Sequence, residues 1–208
     1  MTQSIDTSIL FAVPMGYTTL PSEVCDIFKP LKGQIQKTST ADPKHYDVLV
    51  NHQQVKKDIT DIFSLWVNNT YNYPDQKWKM LTNWITDNTD GSAMVRHRHY
   101  NCMFSAVLYF DGAKHGQGNL VLESPLPHSD FFPDNGQNEP TIFNSKSHRC
   151  PLDQGLLIFF PSNLYHSYPK YKPTKNIIRR SFACNFAPIG NLGFVDSSLD
   201  TNLLQHDG

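Results

Sequence analysis

Three histidines in this sequence have a spacing suited to binding a single metal ion. His97 and His99 are separated by one residue, and residues two apart in a β-strand project from the same face. His166 comes much later, just after the apolar segment 156–160. Imidazole binds iron, zinc, copper and nickel, so two histidines on one strand and a third on a distant strand predict a mononuclear metal site.

An arginine follows these histidines in a pattern that predicts an anion-binding strand. Arg179 and Ser181 share one strand face, and Arg180 lies on the other. A guanidinium can donate two parallel hydrogen bonds to a carboxylate. We therefore expect Arg179 to bind an acidic cosubstrate beside the metal, and we expect Arg180 to tolerate substitution.

Each of these features also has a simpler explanation. The chain contains nine histidines, so a His-x-His pair can arise by chance on a solvent-exposed edge strand. His166 lies in a polar segment, and Arg179 could mark a solvated strand end. Their order along the chain, more than any one of them, favours a common site.

The segments that must position these residues predict a β-rich domain preceded by helices. A short helix is expected from Pro21 to about Phe28, and a longer one is indicated by an apolar stripe in segment 55–66. From Trp78 onward the apolar period changes to two, which is typical of strands. Segment 47–50 is either a brief strand or a lead-in, and segment 125–140 is a long loop.

Eight or so short strands in succession predict a double-stranded β-helix core, jelly-roll or cupin-like, with accessory N-terminal α-helices. We expect one domain over residues 1–208, with helical support at about 20–72, the core at about 78–187 and a tail at 188–208. The predicted strands are 9–13, 79–85, 94–99, 104–110, 119–123, 141–144, 156–160, 165–168 and 179–186.

Composition narrows the class of partner. The formal net charge is −1, which gives no reason to expect nucleic acid or an anionic membrane surface as a partner. No apolar stretch is long enough to span a bilayer, and the first residues do not resemble a secretory signal. The four cysteines are far apart, which favours reduced thiols in a cytoplasmic protein.

The order of these segments resembles a small family of 2-oxoglutarate/Fe(II)-dependent oxygenases of phages and bacteria, which are relatives of the prolyl hydroxylases. The resemblance runs over most of the chain, and its most specific part is the block from segment 155–161 through His166 to the arginine strand. The matching residues are 10–14, Trp84, Gly91, His97, His99, 105–110, 155–161, His166, Arg179, Ser181 and Asn185.

This resemblance implies an activity and its cofactors. The protein would be a dioxygenase, a hydroxylase that uses Fe(II), 2-oxoglutarate and dioxygen to oxidise an unactivated C–H bond of a protein residue or a small metabolite. Arg179, Ser181 and Tyr109 would bind the distal carboxylate of 2-oxoglutarate, and Ser105, which shares a strand face with Tyr109, would line the pocket.

One residue departs from the pattern of the wider superfamily, which has Asp or Glu where this chain has His99. Three arrangements remain open. Iron could be held by His97, His99 and His166, which we favour. It could be held by His97 and His166 alone, with water in the third position, or Glu123 could supply the missing carboxylate.

Two other classes of protein are compatible with the same residues. A cupin-like metal dioxygenase would use the histidines without 2-oxoglutarate. A non-enzymatic jelly-roll protein, with a binding or structural role, would use neither the histidines nor Arg179. Conversion of 2-oxoglutarate to succinate would distinguish a 2-oxoglutarate-dependent oxygenase from both of these classes.

Overall fold

The structure is a computed structural model that describes residues 12–35, 47–89, 91–113, 118–126, 141–171 and 177–201. Residues 127–140 of the predicted loop 125–140 lie outside these ranges, as do positions 9–11 of the predicted first strand. None of the helices in the described ranges is both long and apolar enough to cross a membrane.

Two helices precede most of the strands. Helix α1 (Ser22–Phe28) begins after Pro21, which suits the start of a helix, and it buries Cys25 and Phe28. Helix α2 (Gln53–Tyr71) buries the expected apolar stripe along one face and ends where Asn72 adopts a left-handed conformation. The helical part of the prediction is therefore correct in position and length.

Twelve strands form two facing sheets and a small hairpin within the described ranges. The larger sheet has the order β1-β8-β5-β10-β3-β2, and the smaller has the order β4-β9-β6-β7. This arrangement confirms the predicted double-stranded β-helix. The strands are β1 (Gly16–Thr19), β2 (Gln34–Ile35), β3 (Lys77–Asn88), β4 (Met94–His97), β5 (Phe104–Asp111), β6 (Val121–Glu123), β7 (Ser147–Arg149), β8 (Leu156–Pro161), β9 (His166–Tyr168), β10 (Arg179–Ile189), β11 (Asn191–Leu192) and β12 (Leu199–Asp200).

The larger sheet has a separate apolar layer on each face. On the outer face, Phe63 of α2 stacks on Phe186 of β10, with ring centroids 4.0 Å apart, and joins a core that includes both helices. On the inner face, Ile158 and Phe160 pack with Leu122 of the smaller sheet. The helices thus cover the outer face of the larger sheet. Its inner face and the smaller sheet enclose a space in which polar residues line a pocket.

Three predicted strands differ from the structure. Residues 142–144 form a turn because the Thr141 N–H donates to Asn144 Oδ1 (2.6 Å) and the Phe143 N–H donates to Thr141 Oγ1 (3.2 Å). The strand of this region is β7 instead. Residues 12 and 13 of the predicted strand 9–13 are not in a strand, and the first strand among the described residues is β1. Strand β4 ends at His97, so that His99 lies beyond it.

Candidate metal centre

The three histidines converge because neighbouring strands of the smaller sheet carry two of them. His97 on β4 and His166 on β9 are register partners in an antiparallel pair. His99 follows the end of β4, where its backbone N–H donates to the carbonyl of Ser162 (3.0 Å). The centroid of the His99 ring lies 5.2 Å from that of His97 and 5.0 Å from that of His166.

The nitrogen atoms of the cluster lie at distances suited to one ion. The Nε2 atoms of His97 and His99 are 3.2 Å apart, and one ring nitrogen from each histidine lies within 4.8 Å of the other two. Two ligands at right angles, each about 2.1 Å from a metal, would lie about 3.0 Å apart. The pair of His97 and His99 therefore has nearly the separation of adjacent ligands.

In each imidazole, Nδ1 is hydrogen-bonded to an oxygen atom. His97 Nδ1 donates to the Val95 carbonyl (2.9 Å), and His166 Nδ1 donates to the Leu164 carbonyl (2.9 Å). His99 Nδ1 donates to Asn185 Oδ1 (3.0 Å). With Nδ1 protonated, Nε2 carries the free lone pair in all three rings, which is the tautomer that metal-binding histidines adopt.

Burial keeps two of these imidazoles neutral. The pKa of His166 is lowered to about 3, chiefly by burial; the Leu164 carbonyl opposes the shift, and the nearby His97 and His99 rings add to it. Burial likewise lowers the pKa of His99. Because only neutral imidazole binds a metal, His99 and His166 are ready to accept one at neutral pH.

Glu123 lies outside this cluster. Its carboxylate accepts two hydrogen bonds from Arg96 Nε, at 2.8 Å to each oxygen, and the Arg96 guanidinium stacks over the Tyr165 ring at 3.5 Å. The metal-binding group found among the described residues contains the three histidines and no carboxylate. An uncharged set of three nitrogen donors fits Fe(II).

Arg179 lies at the buried end of the same pocket. Only 1% of the residue is exposed, its Nη1 donates to the Gly118 carbonyl, and its guanidinium faces the rings of Tyr109, Tyr168 and Tyr171 at 4.9–5.7 Å. Gly118 has a φ of +63°, and a Cβ there would lie 2.6 Å from Arg179 Nη1. The backbone at Gly118 is thus shaped around the guanidinium.

The other predicted cosubstrate residues line the pocket with Arg179. Ser181 and Tyr109 are register partners on β10 and β5. Burial raises the pKa of Tyr109 to about 12, against the opposing effect of Arg179, so the phenol remains a hydrogen-bond donor. Ser105 also lines the pocket, but its hydroxyl is already bonded to Ser162 and Asn185.

The pocket has a volume of about 90 Å³ and runs between the sheets from the histidines to Arg179. This volume is several times the roughly 10–15 Å³ that a cavity needs to hold one water. The pocket therefore has room for a small molecule between the histidines and Arg179.

Some residues of the pocket were not identified from the sequence. Tyr168 is two residues after His166 on one strand face, so the same period-two rule could have found it. Tyr171 and Gly118 carry no such signal. Arg180 does not line the pocket; its guanidinium contacts Asp87 (2.7 Å) and donates to two backbone carbonyls after α1, so it holds these segments together.

Sequence comparison agrees with this geometry. Residues 82–185, half of the chain, match the sequence model of a 2OG-Fe(II) oxygenase family. The chain belongs to this family and is a 2-oxoglutarate- and Fe(II)-dependent oxygenase. This assignment favours the oxygenase interpretation over a cupin-like enzyme without 2-oxoglutarate and over a non-enzymatic jelly-roll protein. Among curated proteins, none matches the chain in sequence.

Solved structures share the fold at low sequence identity. HygX from Streptomyces hygroscopicus, crystallised with nickel and 2-oxoglutarate, has a TM-score of 0.54 and 12% identity over 85% of this chain and 83% of its own. AviO1 from Streptomyces viridochromogenes Tue57 has a TM-score of 0.51 and 12% identity over 90% of this chain and 92% of its own. At these identities the similarity concerns the fold alone.

Proposed function

We propose that His97, His99 and His166 hold the single Fe(II) of this oxygenase through their Nε2 atoms. The observation that carries the proposal is the common orientation of the rings, with every Nδ1 bound to an oxygen and the Nε2 lone pairs directed to one small space. Glu123 is not a ligand in this proposal, because Arg96 holds its carboxylate.

We further propose that Arg179 binds the distal carboxylate of 2-oxoglutarate. A planar guanidinium fixed by Gly118 can donate to a carboxylate without losing further side-chain entropy. Ser181 and the protonated Tyr109 phenol lie beside it and can donate to the same group. Ser105 supports the metal side of the pocket instead, through its contact with Asn185.

In the reaction, the protein positions the reactants and excludes water. Bound Fe(II) would supply oxidation by dioxygen, with one oxygen atom going to an unactivated C–H bond of the substrate and the other to 2-oxoglutarate, which is converted to succinate and carbon dioxide. Phe160 and Leu120 line the pocket between its polar ends, so that little water can accompany the cosubstrate. Because burial lowers the pKa of His99 and of His166, their Nε2 atoms are free of a proton that would compete with the metal.

The size of the pocket constrains the substrate. In this proposal the cosubstrate occupies the cavity of about 90 Å³ between the histidines and Arg179, and the substrate presents its reacting carbon from outside that cavity. We propose hydroxylation of a protein residue or of a small metabolite at the histidine end.

The test is iron-dependent conversion of 2-oxoglutarate to succinate by the purified protein under air, without added substrate. We expect slow turnover in the wild type and none in His97→Ala or His166→Ala, with loss of stoichiometric iron. His148→Ala is the matched control, because His148 is exposed and outside the cluster. Full iron content in both cluster variants would place the metal elsewhere.

A further inference from the structure

His99 is positioned differently from the other two histidines. The Nδ1 atoms of His97 and His166 donate to backbone carbonyls two residues earlier in the chain, which no side-chain substitution can remove. The Nδ1 atom of His99 donates to a side chain, Asn185 Oδ1, which lies 86 residues away on β10. The orientation of His99 therefore depends on one specific residue.

The carboxamide of Asn185 is held in a single orientation. Asn185 is the register partner of Thr82 on β3 and of Ser105 on β5, and it lies between them. Its Nδ2 donates to Thr82 Oγ1 (3.0 Å), and its Oδ1 accepts from Ser105 Oγ (2.8 Å). With the NH₂ group directed at Thr82, the oxygen is the atom that faces His99.

The same network also holds the backbone of His99. Ser105 Oγ is hydrogen-bonded to Ser162 Oγ (2.8 Å), and the Ser162 carbonyl accepts from the His99 N–H (3.0 Å). Ser105, Ser162 and Asn185 are all buried, so these hydrogen bonds compete little with water. Ring and backbone of His99 are fixed by one connected group of side chains.

From this geometry we propose that Asn185 is the positioning residue that makes His99 a metal ligand. Asn185 Oδ1 accepts a hydrogen bond from His99 Nδ1–H, so the lone pair of His99 is on Nε2 and is directed at His97 Nε2, 3.2 Å away. Two facing lone pairs repel each other unless a cation lies between them. Asn185 thus selects the tautomer that binds metal. The inference rests on the proposed iron site.

The experiment measures Ni²⁺ affinity by calorimetry, which does not depend on turnover. Asn185→Leu removes the acceptor at similar volume and should weaken Ni²⁺ binding by about 10–100-fold. Asn185→Asp retains an acceptor, and the Thr82 hydroxyl can turn to donate to it, so binding should stay close to the wild type. Asn83→Leu is the matched control: a buried asparagine on β3 that bonds Leu49 and Asp47, away from the pocket.

The tautomer is read directly by ¹⁵N NMR of the metal-free histidine side chains. We expect His99 to carry its proton on Nδ1 in the wild type and in Asn185→Asp, and to shift toward Nε2–H in Asn185→Leu. The proposal is overturned if Asn185→Leu keeps wild-type affinity and tautomer, or if Asn185→Asp loses tenfold or more in affinity. The second criterion decides even if Asn185→Leu does not fold. A wild type that binds no Ni²⁺ would instead refute the iron site itself.

Discussion

Replacement of Arg179 gives the sharpest separation between cosubstrate binding and metal binding. Arg179→Ala removes the two donors expected to bind the distal carboxylate of 2-oxoglutarate. A hydrogen bond to a charged group contributes about 1.5–3 kcal/mol, so the loss is about 3 kcal/mol at the lower end. Each 1.4 kcal/mol is a factor of about ten, so 2-oxoglutarate should bind at least about 100-fold more weakly.

Arg180→Ala is the matched control on the opposite face of β10. Arg180 bonds to Asp87 and to the carbonyls of Lys29 and Leu31, and its side chain is 14% exposed. Its loss should lower the free energy of unfolding by about 1–3 kcal/mol and leave the affinity for 2-oxoglutarate unchanged. Stability and binding should therefore respond in opposite patterns to the two substitutions.

The assay is calorimetric titration of 2-oxoglutarate into the Ni²⁺-loaded protein, with metal content measured on the same samples. Arg179→Lys retains the charge without the planar fork and should lie between the wild type and Arg179→Ala. Wild-type affinity in Arg179→Ala would refute the assignment of the carboxylate site. Equal losses of affinity at positions 179 and 180 would show that the effect is indirect.

Three further outcomes are expected. Gly118→Ala should weaken 2-oxoglutarate binding in the same titration, because the φ of +63° is strained for alanine and the new Cβ would displace the Arg179 guanidinium; unchanged affinity would contradict this. Glu123→Gln should leave Ni²⁺ affinity unaltered, because the carboxylate is bound to Arg96 and not directed at the metal; a collapse would make Glu123 a ligand. For the metal-free protein, the free energy of unfolding measured with urea should decrease as the pH falls from about 6.5 toward 3, by up to about 1.4 kcal/mol per pH unit. The reason is that His166 becomes protonated in the unfolded chain over this range but stays neutral in the folded protein. His166→Phe should show a smaller slope, and the remaining slope includes the contribution of His99, whose pKa burial also lowers.

The fold could be predicted from the sequence because its helices and strands follow from local periodicity. The grouping of the three histidines was predicted from their order along the chain, and His99 joins the cluster from beyond the end of β4. A period of two in the apolar residues predicted the strands, and a period near 3.6 predicted α2. The period of two also predicted that the side chain of His97 faces the pocket. The misplaced strand at 141–144 shows its limit: hydrogen bonds within the segment favoured a turn there.

The contacts that hold the site residues in position could not be predicted from the sequence, because they depend on which distant strands pair and in which register. Asn185 reaches His99 only because β10 lies between β3 and β5. The carboxylate of Glu123 is bound by Arg96, 27 residues earlier in the chain, and does not face the histidines. Arg180 donates hydrogen bonds to backbone carbonyls 149–151 residues earlier. Contacts of this kind leave no periodic signal in the chain.

The central claim is that three histidines bind the iron and Arg179 binds the cosubstrate. The most direct test is a crystal structure, prepared without oxygen, of the protein with Fe(II) and a non-reactive analogue of 2-oxoglutarate. We predict one iron bonded to Nε2 of His97, His99 and His166, with the distal carboxylate of the analogue on Arg179. Iron bonded to Glu123, or an analogue that leaves Arg179 without contact, would contradict the account.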